Sequence, residues 1–321
     1  MENNIVLNDI SYGSHERQKL DIFIPKNPKC QWGIMLFIHG GGWIQGDKIG
    51  HIDDARHFCN LGYISATMNY RFVDENTTVY DELDDITAAL KTIKNECRNY
   101  GFNIEKLILS GGSAGVHLSL LYAYTRMTEA PITPVAVCPY CPPVDCSKPD
   151  FLMGISGEFE NWKYGILSKC CGLETNRENL FKLQQQEALK KISPQEYISE
   201  NCVPTAIFHG RHDELIPFSH IEKFISSLNE KSIKNDLIIY ENSGHTLDKD
   251  PETAAKTKDI IKKYAPEGEY SIFVCGPGGL YKFLETELPK LNKEKKYIRF
   301  EVFSSGKKAE ENAVEYSITV I

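Results

Sequence analysis

The chain has 321 residues and a net charge of −8, with 36 lysine and arginine residues against 44 aspartate and glutamate residues. This balance, without any basic run, argues against a nucleic-acid partner. The sequence has no signal-peptide pattern, and no apolar run is long enough to span a membrane. The chain has ten cysteines and no export signal, which favours free thiols over disulfide bonds. We therefore expect a cytoplasmic protein without a membrane partner.

The apolar pattern predicts alternating strands and helices. Residues 5–24 alternate as a hairpin does, and 34–38 is a continuous apolar run typical of a strand buried on both faces. This alternation is typical of an α/β fold with a mostly parallel central sheet and helices on both faces. The other predicted elements are helices near 51–61, 81–99, 218–228 and 251–264, a helix after residue 113, and strands near 63–69, 107–109, 134–138, 204–210 and 237–240.

A Gly-x-Ser-x-Gly motif at 111–115 lies between the strand at 107–109 and a helical pattern. In this setting the sharp turn exposes the hydroxyl of Ser113, and the two outer glycines avoid clashes where strand and helix nearly touch. The helix N-terminus favours a developing negative charge. The helix is predicted to bury one face. The motif alone is also compatible with a glycine-rich turn that has no chemistry.

A His-Gly-Gly-Gly-Trp run at 39–43 follows the buried strand 34–38. Glycines in succession leave backbone N–H groups free to approach an oxyanion, and this run matches the oxyanion loop of lipases and esterases. We expect the amides of Gly41 and Gly42, with that of Ala114, to form the oxyanion hole.

Ser113 needs a neighbouring base, because serine is a poor nucleophile at neutral pH, and nine histidines compete for that role. His245 follows the last predicted strand of the domain, in a loop of small residues that can fold back over Ser113, and is the predicted base. The other histidines are interpreted as residues that order loop backbone (His39, His209), a packed helix residue (His117), residues of surface elements (His15, His51, His57, His220), and a neighbour of the acid that is turned away from the site (His212).

The base in turn needs a carboxylate that fixes its tautomer and stabilises the imidazolium. Asp213 lies just past the end of the strand at 204–210 and is the favoured candidate, with Glu214 as the adjacent alternative and Asp248 as a weaker one. Each predicted catalytic residue follows a strand, and open α/β sheets place their sites at the carboxyl ends of strands.

These motifs resemble the α/β-hydrolase superfamily, and most closely its esterase and lipase branch with a His-Gly-Gly-Gly loop, which includes feruloyl-esterase-like members. The order serine, aspartate, histidine is that of the family. Asn69 stands where the lipase-like members have an aspartate, which favours a carbohydrate esterase or general carboxylesterase. The resemblance covers about residues 5–264 and rests on 39–43, Gly46-Asp47, Asn69-Tyr70-Arg71, 111–115, His209-Gly210 with Asp213, and Gly244-His245.

The resemblance implies a serine carboxylesterase that needs no metal and no cofactor. Its substrates would be short-chain acyl, acetyl or feruloyl esters, such as those on plant carbohydrates, cleaved through an acyl-serine intermediate. Small-molecule or carbohydrate esters are the expected partners. Two alternatives stay open: an amidase or peptidase of the same fold, such as an arylformamidase-like enzyme, and an inactive hydrolase-fold binding module.

The predicted catalytic domain, residues 1–264, contains one stretch, 142–200, that breaks the strand–helix alternation. It has prolines and glycines first and then aromatic residues and a polar helical part around 176–191. An insertion here would lie over the carboxyl ends of the strands, near Ser113. We interpret it as a small cap that shapes the acyl or alcohol pocket.

Residues 265–303 form a separate predicted unit, in which strand-like runs at 270–274 and 297–303 flank a helical stretch at 281–291. With its Cys-Gly-Pro turn, this piece resembles the last βαβ unit of ferredoxin-reductase-like flavoproteins. The other nucleotide and flavin motifs of that family are absent from the sequence, so we expect an accessory segment without flavin or NAD activity. Residues 304–321 are predicted to be a linker and a strand-like tail.

The cysteines offer two other signals, and we interpret both as incidental. The Cys-Pro-Tyr-Cys run at 138–141 matches glutaredoxins, but a redox role needs a helix to begin there, and two prolines follow instead. Cys146 and the pair at 170–171 have no histidine or cysteine partner at a spacing typical of zinc sites.

Overall fold

The computed structural model describes residues 4–148, 150–151 and 158–264, together with the backbone of three short strands farther along the chain. In the first and larger part, eight strands form one sheet. They are β1 (Ile5–Ser11), β2 (Lys19–Ile24), β3 (Gly33–Ile38), β4 (Ile64–Met68), β5 (Lys106–Gly112), β6 (Thr133–Tyr140), β7 (Thr205–Gly210) and β8 (Asn235–Tyr240).

The sheet has the order β1-β2-β4-β3-β5-β6-β7-β8. The predicted hairpin β1–β2 is confirmed, and β2 also pairs antiparallel with β4, whereas all pairs from β4 to β8 are parallel. Strands β3 and β4 are buried at every residue, as their continuous apolar sequences predict for strands covered on both faces. Because β3, β5, β7 and β8 are parallel, their carboxyl ends lie at the same edge of the sheet, and so do the loops that follow these strands.

Helices cover both faces of the sheet and separate its interior into two apolar cores. Residues of α2, α3 and α6 pack in the larger core, and residues of α1 and α7 pack in the smaller one. In α2, a capping box of Thr78 and Asp81 satisfies the first amides of the helix. The helices are α1 (Ile52–Asn60), α2 (Val79–Asn99), α3 (Ala114–Thr125), α4 (Glu158–Cys171), α5 (Leu183–Lys191), α6 (Phe218–Glu230) and α7 (Pro251–Tyr264).

Three sequence-based expectations are wrong in detail. Helix α3 was predicted to bury one face, but every residue from Ala114 to Ala123 is buried, because α2 and a short 3₁₀ helix (Pro194–Tyr197) cover what the sheet does not. The polar helix of the cap begins at Leu183, since Asn176 and its neighbours form a hydrogen-bonded turn instead. His220 is 6% exposed and packs on the inner side of α6, so it is not a surface residue.

The insertion between β6 and β7 contains α4, α5 and the 3₁₀ helix, and we call residues 142–200 the cap segment. A second compact unit spans Glu267–Ile321. Its described strands, β9 (Ile272–Val274), β10 (Ile298–Phe300) and β11 (Thr319–Val320), form a three-stranded sheet in which β9 and β10 are parallel. The predicted helix at 281–291 and the Cys-Gly-Pro turn lie outside the described residues. Within the described part of the chain, no helix has the length and apolarity to cross a bilayer.

Candidate active site

Ser113 occupies the sharp turn between β5 and α3. Its backbone has φ 50° and ψ −120°, a strained conformation for a residue with a side chain. The amide of Ser113 donates to the carbonyl of Tyr140 at 2.8 Å, which ties the turn to the end of β6. A Cβ atom on Gly115 would lie 2.2 Å from the carbonyl oxygen of Ile38, so only glycine fits there. The Gly-x-Ser-x-Gly motif therefore encodes a turn that presents the serine hydroxyl at the edge of the sheet.

The loop after β8 brings His245 to this hydroxyl. His245 Nε2 lies 2.9 Å from Ser113 Oγ, and its Nδ1 lies 2.8 Å from an oxygen of Asp213. Because an ionised carboxylate only accepts hydrogen bonds, Asp213 fixes the proton on Nδ1 and leaves the Nε2 lone pair facing the serine hydroxyl. The structure thus brings together the three residues that the sequence placed at the ends of three different strands.

Asp213 is buried, and its second oxygen accepts hydrogen bonds from the amides of Leu215 and Ile216, both at 2.9 Å. Burial alone would raise the pKa of Asp213, but the hydrogen bond and charge of His245, with His209 and the Ile216 amide, outweigh it and leave the pKa below its usual value. The carboxylate is therefore ionised and held in place at neutral pH.

The two alternative acids occupy other positions. Glu214 accepts a hydrogen bond from the backbone amide of His245 at 3.3 Å, so it contacts the loop and not the imidazole. Asp248 is exposed. Among the acids considered from the sequence, only Asp213 meets the His245 ring.

Several other histidines have structural roles, as the sequence indicated. His39 contacts the carbonyl of Gly40 through Nδ1 at 2.8 Å, and His209 contacts the carbonyl of Ile216 through Nε2 at 3.0 Å. Burial lowers the pKa of each of these two imidazoles to about 4, which makes both neutral at pH 7. They hold the loops that follow β3 and β7.

The loop after β3 has three consecutive residues with positive φ: Gly41 at 119°, Gly42 at 59° and Trp43 at 63°. A Cβ atom on Gly41 would lie 2.1 Å from the carbonyl oxygen of Gln45, so this position requires glycine. Within the described residues, no hydrogen bond uses the amides of Gly41, Gly42 or Ala114 as donors. An oxyanion hole requires N–H groups without an acceptor in the protein, so the oxyanion hole of these three amides stays a prediction that this arrangement permits. We call residues 39–45 the oxyanion loop.

Two cavities meet at Ser113 and His245. The first, which we call the apolar cavity, has a volume of about 290 Å³ and reaches under the cap segment. Within the described residues, no acidic or basic side chain other than His245 lines it. Its walls are Gly41, Gly42, Trp43, Gln45, Pro143, Phe151, Trp162, Ile166, Leu215 and Ile216.

The second cavity, of about 410 Å³, lies on the side of α1 and α7. Its lining combines apolar and aromatic residues with a connected polar cluster of His51, Asp54 and Lys258, and we call it the polar cavity after this cluster. His51 Nδ1 lies 2.9 Å from Asp54 Oδ2, and Lys258 Nζ lies 3.6 Å from Asp54 Oδ1. A substrate bound at Ser113 would therefore find an apolar space on one side and, on the other, a mixed space whose wall contains one cluster of ionisable side chains.

The Cys-Pro-Tyr-Cys run has a different environment from a redox motif. β6 extends through Tyr140, so the first cysteine lies inside a strand and no helix begins there. Both thiols are free and buried, and burial raises the pKa of each, which disfavours the reactive thiolate. The sequence interpretation missed that the Cys141 thiol lies within 4.8 Å of a carboxylate oxygen of Asp213. The available signal was its position at the end of β6, beside the strands that bear Ser113 and Asp213.

In the described part of the chain, Cys141, His209 and Asp213 bring a sulfur, a nitrogen and an oxygen within 4.8 Å of one another. This donor set would suit a zinc ion. However, the carboxylate already bonds His245, and the His209 ring already contacts Ile216. Two of the three groups thus already have partners within the protein, and we assign no metal to this cluster.

Comparison with known proteins links both halves of the site to hydrolases. A sequence profile of the BD-FAE family matches residues 20–149, which contain the oxyanion loop and Ser113. A profile of the prolyl oligopeptidase family matches residues 170–266, which contain Asp213 and His245. Each profile covers less than half of the chain.

Two curated relatives are carboxylic ester hydrolases by name. A rice protein named probable isoprenylcysteine alpha-carbonyl methylesterase ICME is 25% identical over 265 residues, which are 75% of this chain and 58% of the relative. Probable carboxylic ester hydrolase LipM of Mycobacterium tuberculosis is 27% identical over 238 residues, which are 70% of this chain and 52% of the relative. The chain thus spans little more than half the length of these relatives.

Solved esterase structures share the architecture. Esterase B from Lactobacillus rhamnosis superposes with a TM-score of 0.65 at 18% identity, covering 82% of this chain and 85% of that one. A truncated carbohydrate esterase from gut microbiota superposes with a TM-score of 0.65 at 17% identity, covering 81% and 96%. At such low sequence identity, the structural similarity is evidence for the fold alone. Together with the observed strand order and the helices on both faces, it shows that this chain has the α/β-hydrolase fold.

Proposed function

We propose that the chain is a serine carboxylesterase in which Ser113, His245 and Asp213 are the nucleophile, the base and the acid. The observation that supports this most strongly is the continuous hydrogen-bonded series from Ser113 Oγ through the His245 ring to the Asp213 carboxylate, at 2.9 and 2.8 Å. Distances of this size are those at which a base removes a proton from a nucleophile. The ester hydrolases among the relatives agree with this chemistry.

In the proposed mechanism, His245 Nε2 takes the proton of Ser113 as its oxygen attacks the ester carbonyl. The amides of Gly41, Gly42 and Ala114 stabilise the negative charge that develops on the carbonyl oxygen. Collapse of this intermediate breaks the bond to the alcohol, which leaves with the proton from His245. Water, deprotonated by the same imidazole, then attacks the acyl-serine and releases the acid.

The two cavities indicate the kind of ester. The apolar cavity, at about 290 Å³, has room for a short acyl chain or one aromatic ring, and its aromatic walls suit an acetyl, short acyl or feruloyl group. The polar cavity offers the His51, Asp54 and Lys258 cluster, whose hydrogen-bonding groups suit the hydroxyls of a carbohydrate alcohol. We therefore favour esters that join a small apolar acid to a polar alcohol.

The prolyl oligopeptidase profile over 170–266 favours one alternative, an amidase or peptidase that uses the same three residues. A matched pair of substrates separates the two, for example the p-nitrophenyl ester and the p-nitroanilide of the same acid. We expect the ester to be hydrolysed with the higher kcat/KM even after correction for its faster uncatalysed reaction. A higher corrected value for the anilide would favour the amidase.

The proposed function is tested by Ser113→Ala, assayed with p-nitrophenyl acetate. Removing the nucleophile should lower kcat at least about 10⁴-fold while the variant stays folded. Ser119→Ala is a matched control, because Ser119 is a buried serine of the adjoining helix α3 whose hydroxyl donates to the carbonyl of Gly115 in its own helix, at 2.9 Å. It should keep wild-type activity. A wild-type protein without esterase activity would leave the inactive binding module as the better hypothesis. An active Ser113→Ala would mean that another residue is the nucleophile and would contradict the proposed site.

A further inference from the structure

The oxyanion loop contains one residue whose backbone conformation needs support from outside the loop. Glycine reaches positive φ at little cost, which accounts for Gly41 and Gly42. Trp43 has φ 63° and carries a bulky side chain, for which this region is a genuine outlier. Such a conformation persists only where the surroundings over-determine it. The contacts of the Trp43 side chain are therefore part of what fixes the two amides that precede it.

The indole of Trp43 is held by His117. Trp43 is 3% exposed, and its Nε1 donates a hydrogen bond to His117 Nδ1 at 3.1 Å. The two rings also meet edge to face, with centroids 5.0 Å apart and an interplanar angle of 87°. The backbone carbonyl of Trp43 accepts a hydrogen bond from Val73 at 3.0 Å. One side-chain contact thus joins the oxyanion loop to α3.

The structure also fixes the protonation of His117. An indole N–H can only donate, so Nδ1 must be the unprotonated nitrogen of the ring. The proton is then on Nε2, which donates to the carbonyl of Ile192 at 2.6 Å. Burial lowers the pKa of His117 to about 4, so the ring is neutral at pH 7. A neutral imidazole of a single tautomer links the loop, α3 and the end of α5.

This link joins the two sources of the oxyanion hole. Gly41 and Gly42 lie in the loop that Trp43 closes, whereas Ala114 is the first residue of α3, the helix that bears His117. Catalysis by an oxyanion hole depends on donors that are already in position before charge develops. A contact between the loop and this helix therefore controls the spacing of the three amides.

We propose that His117 is a positioning residue, which holds the oxyanion loop in register with Ala114 through the indole N–H of Trp43. The inference rests on the proposed esterase function. It assigns to His117 no contact with the substrate: the imidazole acts on the loop, and the loop acts on the oxyanion. The His117 ring is not among the residues that line either cavity.

The test uses Trp43→Phe, His117→Phe and the double variant, assayed with p-nitrophenyl acetate. Trp43→Phe removes the indole N–H and keeps a ring, and His117→Phe removes the acceptor. Loss of one oxyanion donor costs about 10²–10³ in kcat, so a displaced donor should cost about 10- to 100-fold, with KM within about threefold of wild type. If both residues act through one contact, the double variant should be no worse than the poorer single variant.

Affinity for a small trifluoromethyl ketone distinguishes positioning from general loosening of the fold. Attack by Ser113 on this ketone forms a hemiketal whose oxygen occupies the oxyanion hole, so its Ki should rise by the factor lost in kcat/KM. The acetyl-sized probe makes little use of the apolar cavity, which Trp43 also lines. Ser119→Ala, on the same helix, should leave both values unchanged.

Three results would each overturn the inference. The first is a Ki that stays unchanged in folded single variants, and the second is an effect confined to KM with kcat unchanged. The third is a loss of kcat in the double variant that equals the product of the two single losses. If His117→Phe does not fold, Trp43→Phe provides the same test by itself, because it removes the indole N–H and leaves the contact of His117 with Ile192 in place. These failures differ from failure of the proposed function, which would appear as a wild-type protein that does not hydrolyse the ester or whose activity survives Ser113→Ala.

Discussion

The two regions that surround Ser113 are constructed differently. The loops after β3, β5, β7 and β8 carry local constraints that the sequence displays, namely positive φ at Gly41 and Ser113 and two backbone amides on Asp213, and the contact of Trp43 with His117 adds long-range support. The cap segment is fixed by side chains that pack across long sequence separations, such as Ile166, which is 4% exposed. Reaction chemistry depends on the first region, and the shape of the acyl space depends on the second. Substitutions in the first region should therefore lower kcat, and substitutions in the cap segment should change the preference among acyl groups.

The largest effect outside the nucleophile is expected at Asp213. Asp213→Asn keeps the size of the side chain but loses the charge that fixes the His245 tautomer, and we expect kcat to fall about 10³- to 10⁴-fold. Glu214→Gln is the control, because Glu214 accepts a hydrogen bond from the backbone amide of His245 and not from its ring. It should stay within a few-fold of wild type. An equal loss in both variants, measured with p-nitrophenyl acetate, would contradict the assignment of the acid.

Stability should depend on pH through the buried histidines of the catalytic region. Burial lowers the pKa of His39, His117 and His209 to about 4, from 6.5. Between pH 6.5 and about 4 the unfolded chain binds protons at these rings and the folded chain does not, so stability falls as pH falls. Each histidine contributes a slope of up to about 1.4 kcal/mol per pH unit.

Urea unfolding at several pH values between 7 and 5 measures this slope. His117→Phe removes one of the three imidazoles, and should reduce the pH dependence by about a third even if it also lowers stability at pH 7. A free energy of unfolding that does not change between pH 7 and pH 5 would mean that these rings are protonated in the folded protein. That result would also contradict the tautomer assigned to His117.

The smallest effects are expected in the cap segment, and they should appear as selectivity. Trp162 lines the apolar cavity while remaining 43% exposed, so Trp162→Ala should enlarge the cavity without opening the core. We expect KM for p-nitrophenyl esters of aromatic or longer acids to rise a few-fold, with kcat for the acetate nearly unchanged. Phe181→Ala is the matched control, since Phe181 is 66% exposed in the same segment and does not line the cavity. Equal effects of the two substitutions would contradict this account of the acyl space.

The difference between the regions also explains what the sequence predicted. Ser113 and the oxyanion loop are identified by glycines whose local geometry excludes other residues, and Asp213 and His245 by their positions after parallel strands. Strand and helix positions could also be predicted, because β3 is a continuous apolar run and α2 has a clear helical periodicity. The fold class and the members of the candidate site were therefore accessible from the sequence.

Features that depend on contacts between distant elements were not accessible. Local periodicity cannot reveal that the cap segment and α2 bury α3 on all sides, or that His220 meets Asp150 at 2.8 Å. The same holds for Trp162, which lines the apolar cavity, and Tyr164, which is 5% exposed in the core. Two aromatic residues of one short stretch have different roles, and only the packing of α4 decides between them.

The most direct test of the central claim is to trap the acyl-enzyme. Wild-type protein is quenched rapidly during hydrolysis of p-nitrophenyl acetate or butyrate, and its peptides are analysed by mass spectrometry. We expect the acyl group on the peptide that contains Ser113. Asp213→Asn should form the same adduct much more slowly, and Ser113→Ala should form none. Acylation of another residue, or complete turnover of the ester by a folded Ser113→Ala variant, would contradict the claim that the hydrogen-bonded series from Ser113 to Asp213 is the catalytic centre.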